Sequence, residues 1–294
     1  MSQVPLKIWL MAFRPKTLPA AVAPVMIGTA MAFGDGVHHF LTAFACLLAA
    51  LAIQVGTNIA NDYYDFKKGT DTAKRIGPTR VTQAGLIKPS TMKWAFIIAF
   101  GLAALLSIWL IQRGGWPIAV IGILAILSGI FYTAGPRPLG YIGLGDLFVL
   151  IFFGPVAVAG TYYVQSYEIN MAVMLAGIAP GLISVAILTV NNLRDIDSDR
   201  DAGKRTLAVR FGRSFAVSEY LFSITIASLI PVLIYSLIQD HIAILICVVV
   251  TLIAIPTIKI VSTASDGRLL NRALEQTGRL LLIYSVLFSI GWVR

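Results

Sequence analysis

Two short stretches of the chain concentrate the residue types that do chemistry. The first runs Asn58-Ile59-Ala60-Asn61-Asp62-Tyr63-Tyr64-Asp65-Phe66-Lys67-Lys68-Gly69-Thr70-Asp71. The second runs Asn191-Asn192-Leu193-Arg194-Asp195-Ile196-Asp197-Ser198-Asp199-Arg200-Asp201. Both contain Asn-x-x-x-Asp, and residues four apart on a helix share a face. Asn61 therefore points with Asp65, and Asn191 with Asp195 and Asp199. Carboxylates crowded at the end of a helix repel one another and the partial negative charge of its C-terminus. A divalent cation removes both costs. Carboxylate and amide oxygens suit Mg2+, which is commonly held by one or two carboxylates, substrate phosphates and water. Basic residues follow each block: Lys74, Arg75 and Arg80 after the first, Lys204, Arg205 and Arg210 after the second. Arginine forks and lysine point charges take up phosphate oxygens, so the pattern predicts a diphosphate held through Mg2+.

The elements that carry these blocks must be membrane helices. Of 294 residues, 57% are hydrophobic and 13% charged, with a net charge of +9 and a mean hydropathy of +0.83. Soluble domains carry about 25% charged residues. The composition therefore excludes a soluble enzyme, a disordered chain and a secreted disulfide scaffold. Cys46 and Cys247 lie in apolar runs and read as small buried hydrophobes. Apolar stretches near 17–34, 40–60, 94–112, 116–133, 144–164, 170–190, 215–238, 241–262 and 279–293 can each cross a hydrocarbon core of about 30 Å. They predict an all-α polytopic bundle of nine transmembrane helices, with both acidic blocks in loops on one face. The first stretch, interrupted by Pro19 and Pro24, reads as a retained helix rather than a cleaved signal.

This arrangement puts 21 of the 23 Lys and Arg on one side and leaves only Arg113 and Arg294 on the other. By the positive-inside rule the charged side is the cytoplasm. The expected location is a bacterial-type inner membrane, with the N-terminus and both motif loops cytoplasmic. Of 14 acids, only Asp35, Glu168 and Asp240 fall on the outer side. Asn61 and Asn191 are 130 residues apart with four helices per period. That spacing suggests duplication of a four-helix unit within a single domain, 1–294, with motif segments near 58–85 and 191–210. The expected partners are the bilayer and small substrates; nothing points to nucleic acid or to a protein partner.

With Asn61-Asp62-x-x-Asp65 and Asp195-x-x-x-Asp199, the chain resembles the UbiA-type superfamily of intramembrane aromatic prenyltransferases over nearly its whole length. More narrowly, it is similar to the 1,4-dihydroxy-2-naphthoate polyprenyltransferases of menaquinone biosynthesis. That similarity is carried by Arg14-Pro15-Lys16-Thr17-Leu18-Pro19, the stretch Asn61–Asp71, and Arg80-Val81-Thr82-Gln83-Ala84-Gly85. Tyr132-Thr133-Ala134-Gly135-Pro136-Arg137-Pro138-Leu139-Gly140 and Gly203-Lys204-Arg205-Thr206 complete it. The chain departs from the superfamily at Gly69, where a third acid is usual; Asp71 is the candidate replacement.

The resemblance implies alkylation of an electron-rich ring by a polyprenyl diphosphate, with loss of CO2 and diphosphate and formation of a demethylmenaquinol-type lipid. It implies Mg2+ held by Asn61, Asp65, Asp71, Asn191, Asp195 and Asp199, with Asp65, Asp195 and Asp199 catalytic. Lys74, Arg75, Arg80, Lys204 and Arg205 are the expected diphosphate ligands. Arg14, Lys16, Arg137 and Tyr132 are the expected contacts to the aromatic substrate, whose carboxylate needs a cation in a membrane pocket. Two alternatives remain. One is a sibling enzyme acting on 4-hydroxybenzoate or another ring. The other is a cation-coupled transporter, although transporter charges usually lie near the bilayer midplane rather than at helix ends.

Overall fold

The computed structural model describes residues 4–70 and 77–294, so Asp71, Lys74 and Arg75 lie outside the described residues. Among the described residues there are twelve α-helices. They are α1 (Leu6–Phe13), α2 (Pro19–Gly34), α3 (Phe40–Lys68), α4 (Pro89–Gly114), α5 (Trp116–Phe131) and α6 (Gly145–Phe152). After these come α7 (Pro155–Ser166), α8 (Met171–Arg194), α9 (Ile196–Asp201), α10 (Leu207–Ile238), α11 (Val249–Thr263) and α12 (Gly267–Val293).

Local sequence sets most of the boundaries. Proline occupies the first turn of α2, α4, α5 and α7, where its missing N–H is not needed. Asn170, Thr206 and Asp266 cap α8, α10 and α12 by accepting from backbone N–H groups. Gly69 ends α3 with φ of +67°, the left-handed geometry of a helix C-cap. Among the described residues a Cβ there would meet nothing within 4 Å, so backbone conformation rather than space accounts for the glycine.

Seven spans among the described residues are long and apolar enough to cross a membrane, and an eighth is reached by counting the bent pair formed by Leu6–Thr17 and α2. The expected count of nine is therefore not confirmed. The segment expected at 116–133 is α5, whose 16 residues reach only about 24 Å at 1.5 Å per residue. The first expected span is α2, which reaches membrane-crossing length only together with Leu6–Thr17, from which it is bent by 54°. The span expected at 144–164 is present as Gly145–Ser166, built of α6 and α7 with a break at Gly154. By contrast, α12 is longer than the apolar stretch that announced it and is an adequate span.

α8 is the most enclosed helix and packs against α2, α6, α7, α10 and α12. The break between α6 and α7 rests directly on it. A Cβ at Gly154 would lie 2.7 Å from the Gly177 carbonyl oxygen, and one at Gly181 would lie 2.5 Å from the Leu150 carbonyl oxygen. Backbone touches backbone there, which only glycine permits. The outer surface is apolar, with Trp94, Ile98, Leu105, Trp116, Phe222 and Leu252 among its exposed side chains, as lipid contact requires. Cys46 and Cys247 are buried and free.

Candidate active site

Both acidic blocks end helices that converge on one cavity. α3 delivers Asn61 and Asp65; α8 delivers Asn191 and, at its C-cap, Asp195. The Asp199 N–H bonds the Asp195 carbonyl at 2.8 Å, which carries the i to i+4 register across the break into α9. All five side chains line a cavity of about 380 Å³. From this polar mouth the cavity runs between the helices along small residues such as Ala49, Ala125, Gly129 and Gly160. Phe148, Phe152 and Phe153 line it too, and it extends as far as Cys46, Ile118 and Val164.

Asp65 is 3% exposed and has four polar neighbours. Arg80 Nη2 donates to Oδ2 at 2.8 Å, and Tyr141 Oη donates to Oδ1 at 2.5 Å. Thr70 Oγ1 lies 3.4 Å from Oδ1, and Lys204 Nζ lies 3.9 Å from it. Arg80 reaches this position because Asp62 accepts from the backbone N–H groups of Val81 (3.1 Å) and Thr82 (3.0 Å), stapling the loop to α3. Asp62 is thus consumed in building the site.

Lys204 Nζ also lies 3.4 Å from Asp199 Oδ1, so one ammonium stands between carboxylates from the two halves of the chain. The Asp195 carboxylate is held by the Arg194 fork, with Nε at 2.8 Å and Nη2 at 2.6 Å. The Arg194 side chain is only 1% exposed and also donates to Asn191 and Asn271, which ties the second block to α12. Asn61 accepts from Thr133. The donor set is therefore oxygen-rich and hard, and an ammonium already marks a cation position between Asp65 and Asp199. These residues fit Mg2+. Among the described residues no three acidic, histidine or cysteine side chains converge closely enough to enclose a metal by themselves.

Sequence comparison decides the family. The chain matches the UbiA prenyltransferase family over residues 21–275. It belongs to that family. It is 42% identical over 239 residues to the 1,4-dihydroxy-2-naphthoate octaprenyltransferase of Escherichia coli, covering 79% of this chain and 77% of that one. It is 44% identical over 215 residues to the protein of the same name from Haemophilus influenzae, covering 70% of each. A UbiA homologue from Archaeoglobus fulgidus, solved bound to DMAPP and Mg2+, shares the fold with a TM-score of 0.62 at 15% identity. That likeness covers 97% of this chain and 98% of that structure. The chain is thus a multi-pass membrane enzyme, a polyprenyltransferase.

In this UbiA-family enzyme the cavity gathers most of the residues singled out by sequence. Arg14, Arg80, Tyr132 and Lys204 line it together with the Asn and Asp residues. Burial, followed by the charges of Asp146, Asp199 and Asp65, pushes the Tyr132 phenol well above its ordinary value. Its hydroxyl abuts Gly145, where a Cβ would come within 2.9 Å. Lys16, Arg137 and Arg205 are not brought to the cavity. All three are exposed, and Lys16 pairs instead with Glu275 at 2.8 Å.

Tyr141 was not anticipated. Besides holding Asp65, its ring carries Lys68 Nζ at 4.8 Å and Lys204 Nζ at 4.9 Å, and its carbonyl accepts from the Arg205 N–H at 2.7 Å. It joins the two blocks. A lone tyrosine after Pro-Leu-Gly carries no sequence signal for that role. Arg194, lying inside the second motif, was at least visible.

Proposed function

We propose that this enzyme transfers a polyprenyl group from a polyprenyl diphosphate to 1,4-dihydroxy-2-naphthoate, in a Mg2+-dependent reaction that releases diphosphate and CO2 and yields a demethylmenaquinol. The observation that carries this reading is the cavity itself: acids and cations at the mouth and an apolar bore behind them. Such a space suits a diphosphate head and a hydrocarbon tail, and the names of the relatives support the naphthoate ring. In this reading the mouth faces the cytoplasm of a bacterial-type inner membrane, in line with the bias of Lys and Arg to that side.

Asn61, Asp65, Asn191, Asp195 and Asp199, with Asp71, would hold the metal. Magnesium, when bound, supplies positive charge to the departing diphosphate. Arg80 and Lys204, with Lys74 and Arg75, take the remaining phosphate oxygens, and Arg14 meets the ring carboxylate. The allylic C–O bond breaks with its electron pair going to diphosphate. The carboxylate-bearing ring carbon forms the new C–C bond. The carboxylate then leaves as CO2, returning its bonding pair to the ring, so no external proton or oxidant is needed. The apolar bore keeps water from the allylic cation.

The test is purified protein in nanodiscs given a labelled polyprenyl diphosphate and either 1,4-dihydroxy-2-naphthoate or 4-hydroxybenzoate. A prenylated naphthol with stoichiometric CO2 is the expected product of the first, with no product from the second. Product from 4-hydroxybenzoate alone would overturn the assignment.

A further inference from the structure

The cavity wall just beyond Asn61 carries a pair of amides outside the expected metal ligands. Gln54 and Asn58 line the cavity at 8% and 4% exposure. Thr17, in the turn between α1 and α2, organises both. Its hydroxyl donates to the Arg14 carbonyl at 3.0 Å, which spends its only proton, so it meets the two amides as an acceptor. It accepts from Asn58 Nδ2 at 3.0 Å and from Gln54 Nε2 at 3.3 Å. Asn58 Nδ2 gives its other proton to the Phe13 carbonyl at 2.9 Å. These partners fix which end of each amide is which: the nitrogens face the Arg14–Thr17 corner. The carbonyl oxygens accept nothing from the described residues, and both residues line the cavity.

Acceptors buried without donors are costly, so two held in place by the same threonine point to a ligand with hydroxyl groups. Residues four apart on a helix share a face, with Cβ atoms about 5–6 Å apart, so both amides can meet one ring. We propose that Gln54 and Asn58 recognise the ring hydroxyls of the aromatic substrate, Gln54 taking the hydroxyl remote from the carboxylate. The assignment rests on the substrate reading above and specifies how that substrate is selected. Asn58 lies nearer the acidic mouth and beside the Arg14 corner; Gln54 lies a turn deeper. The hydroxyl flanking the carboxylate can bond that carboxylate internally, whereas the remote one has no partner within the molecule. A hydrogen bond accepted from it also pushes electron density into the ring, which raises its nucleophilicity.

The experiment compares two rings on purified enzyme in nanodiscs: kcat/KM for 1,4-dihydroxy-2-naphthoate, and the inhibition constant of 1-hydroxy-2-naphthoate, which lacks the remote hydroxyl. Gln54→Leu is expected to lower kcat/KM for the diol about tenfold, the worth of one neutral hydrogen bond. It should leave inhibition by the mono-hydroxy ring within about twofold of wild type. Gln54→Met, which keeps the length of the side chain and removes the acceptor, is expected to give the same selective loss, so the result is readable even where Gln54→Leu fails to accumulate. Equal losses for both rings in these variants would overturn the assignment while leaving the substrate reading intact. Failure of the wild type to use the diol at all would overturn both.

Discussion

Replacing Lys204 with glutamine should strengthen divalent-cation binding while weakening catalysis. Its ammonium lies 3.9 Å from Asp65 and 3.4 Å from Asp199, in the position a metal would take. Two unit charges about 4 Å apart interact by about 4 kcal/mol at an effective dielectric constant of about 20. The Lys204 side chain is 14% exposed at the cavity mouth, and screening together with the mobility of a long side chain reduces this to about 1–2 kcal/mol. A metal that no longer displaces the ammonium should therefore bind roughly 5- to 30-fold more tightly. Mn2+ is a suitable probe, titrated by electron paramagnetic resonance into nanodiscs without diphosphate. The same variant loses a phosphate ligand, so its KM for the prenyl diphosphate should rise. Unchanged or weaker Mn2+ binding in Lys204→Gln would refute the idea that this lysine stands in for the metal.

Three further outcomes test the site. Asp65→Ala and Asp195→Ala should each abolish divalent-dependent prenyl transfer in purified protein; near-wild-type turnover would remove them from the metal site. Tyr141→Phe keeps the ring beneath the two lysines but deletes the 2.5 Å bond to Asp65. A charge-assisted bond is worth about 1.5–3 kcal/mol, so kcat/KM should fall roughly 10- to 100-fold, with more Mg2+ needed for half-maximal rate. Tyr132, held protonated by burial, stabilises the fold fully below its ordinary value of about 10 and less as pH rises above it. Tyr132→Phe should therefore resist alkaline unfolding better than wild type, with the acidic side of the stability profile unchanged.

The pairing of side chains within each block was legible because it depends on local spacing. Asn61 with Asp65, and Asn191 with Asp195, need only helical register to share a face, and the charge bias along the chain put both blocks on one side. Span counting departs from the structure at α5, whose apolar helix is short, and hydropathy shows neither the 54° bend between Leu6–Thr17 and α2 nor the break between α6 and α7. Lys16 and Arg137 show another limit, since a cation that marks topology and a cation that binds substrate are the same residue type. Only the fold shows that Arg14 enters the cavity while Lys16, two residues later, leaves it for Glu275. Tyr141, Gln54 and Thr17 act through partners distant in sequence, so no local pattern announces them.

The glycine joint between the α6–α7 break and α8 bears on how the bore can change. Phe148, Phe152, Phe153 and Val156 line the cavity from the segment that this joint fixes in place. Its position is set by main chain resting on main chain at Gly154, Gly177 and Gly181. A joint without side chains has no part that can be trimmed or lengthened by small steps. The calibre of the bore is therefore held by three positions that are not among its lining residues, and a single methyl group added at one of them shifts an entire wall.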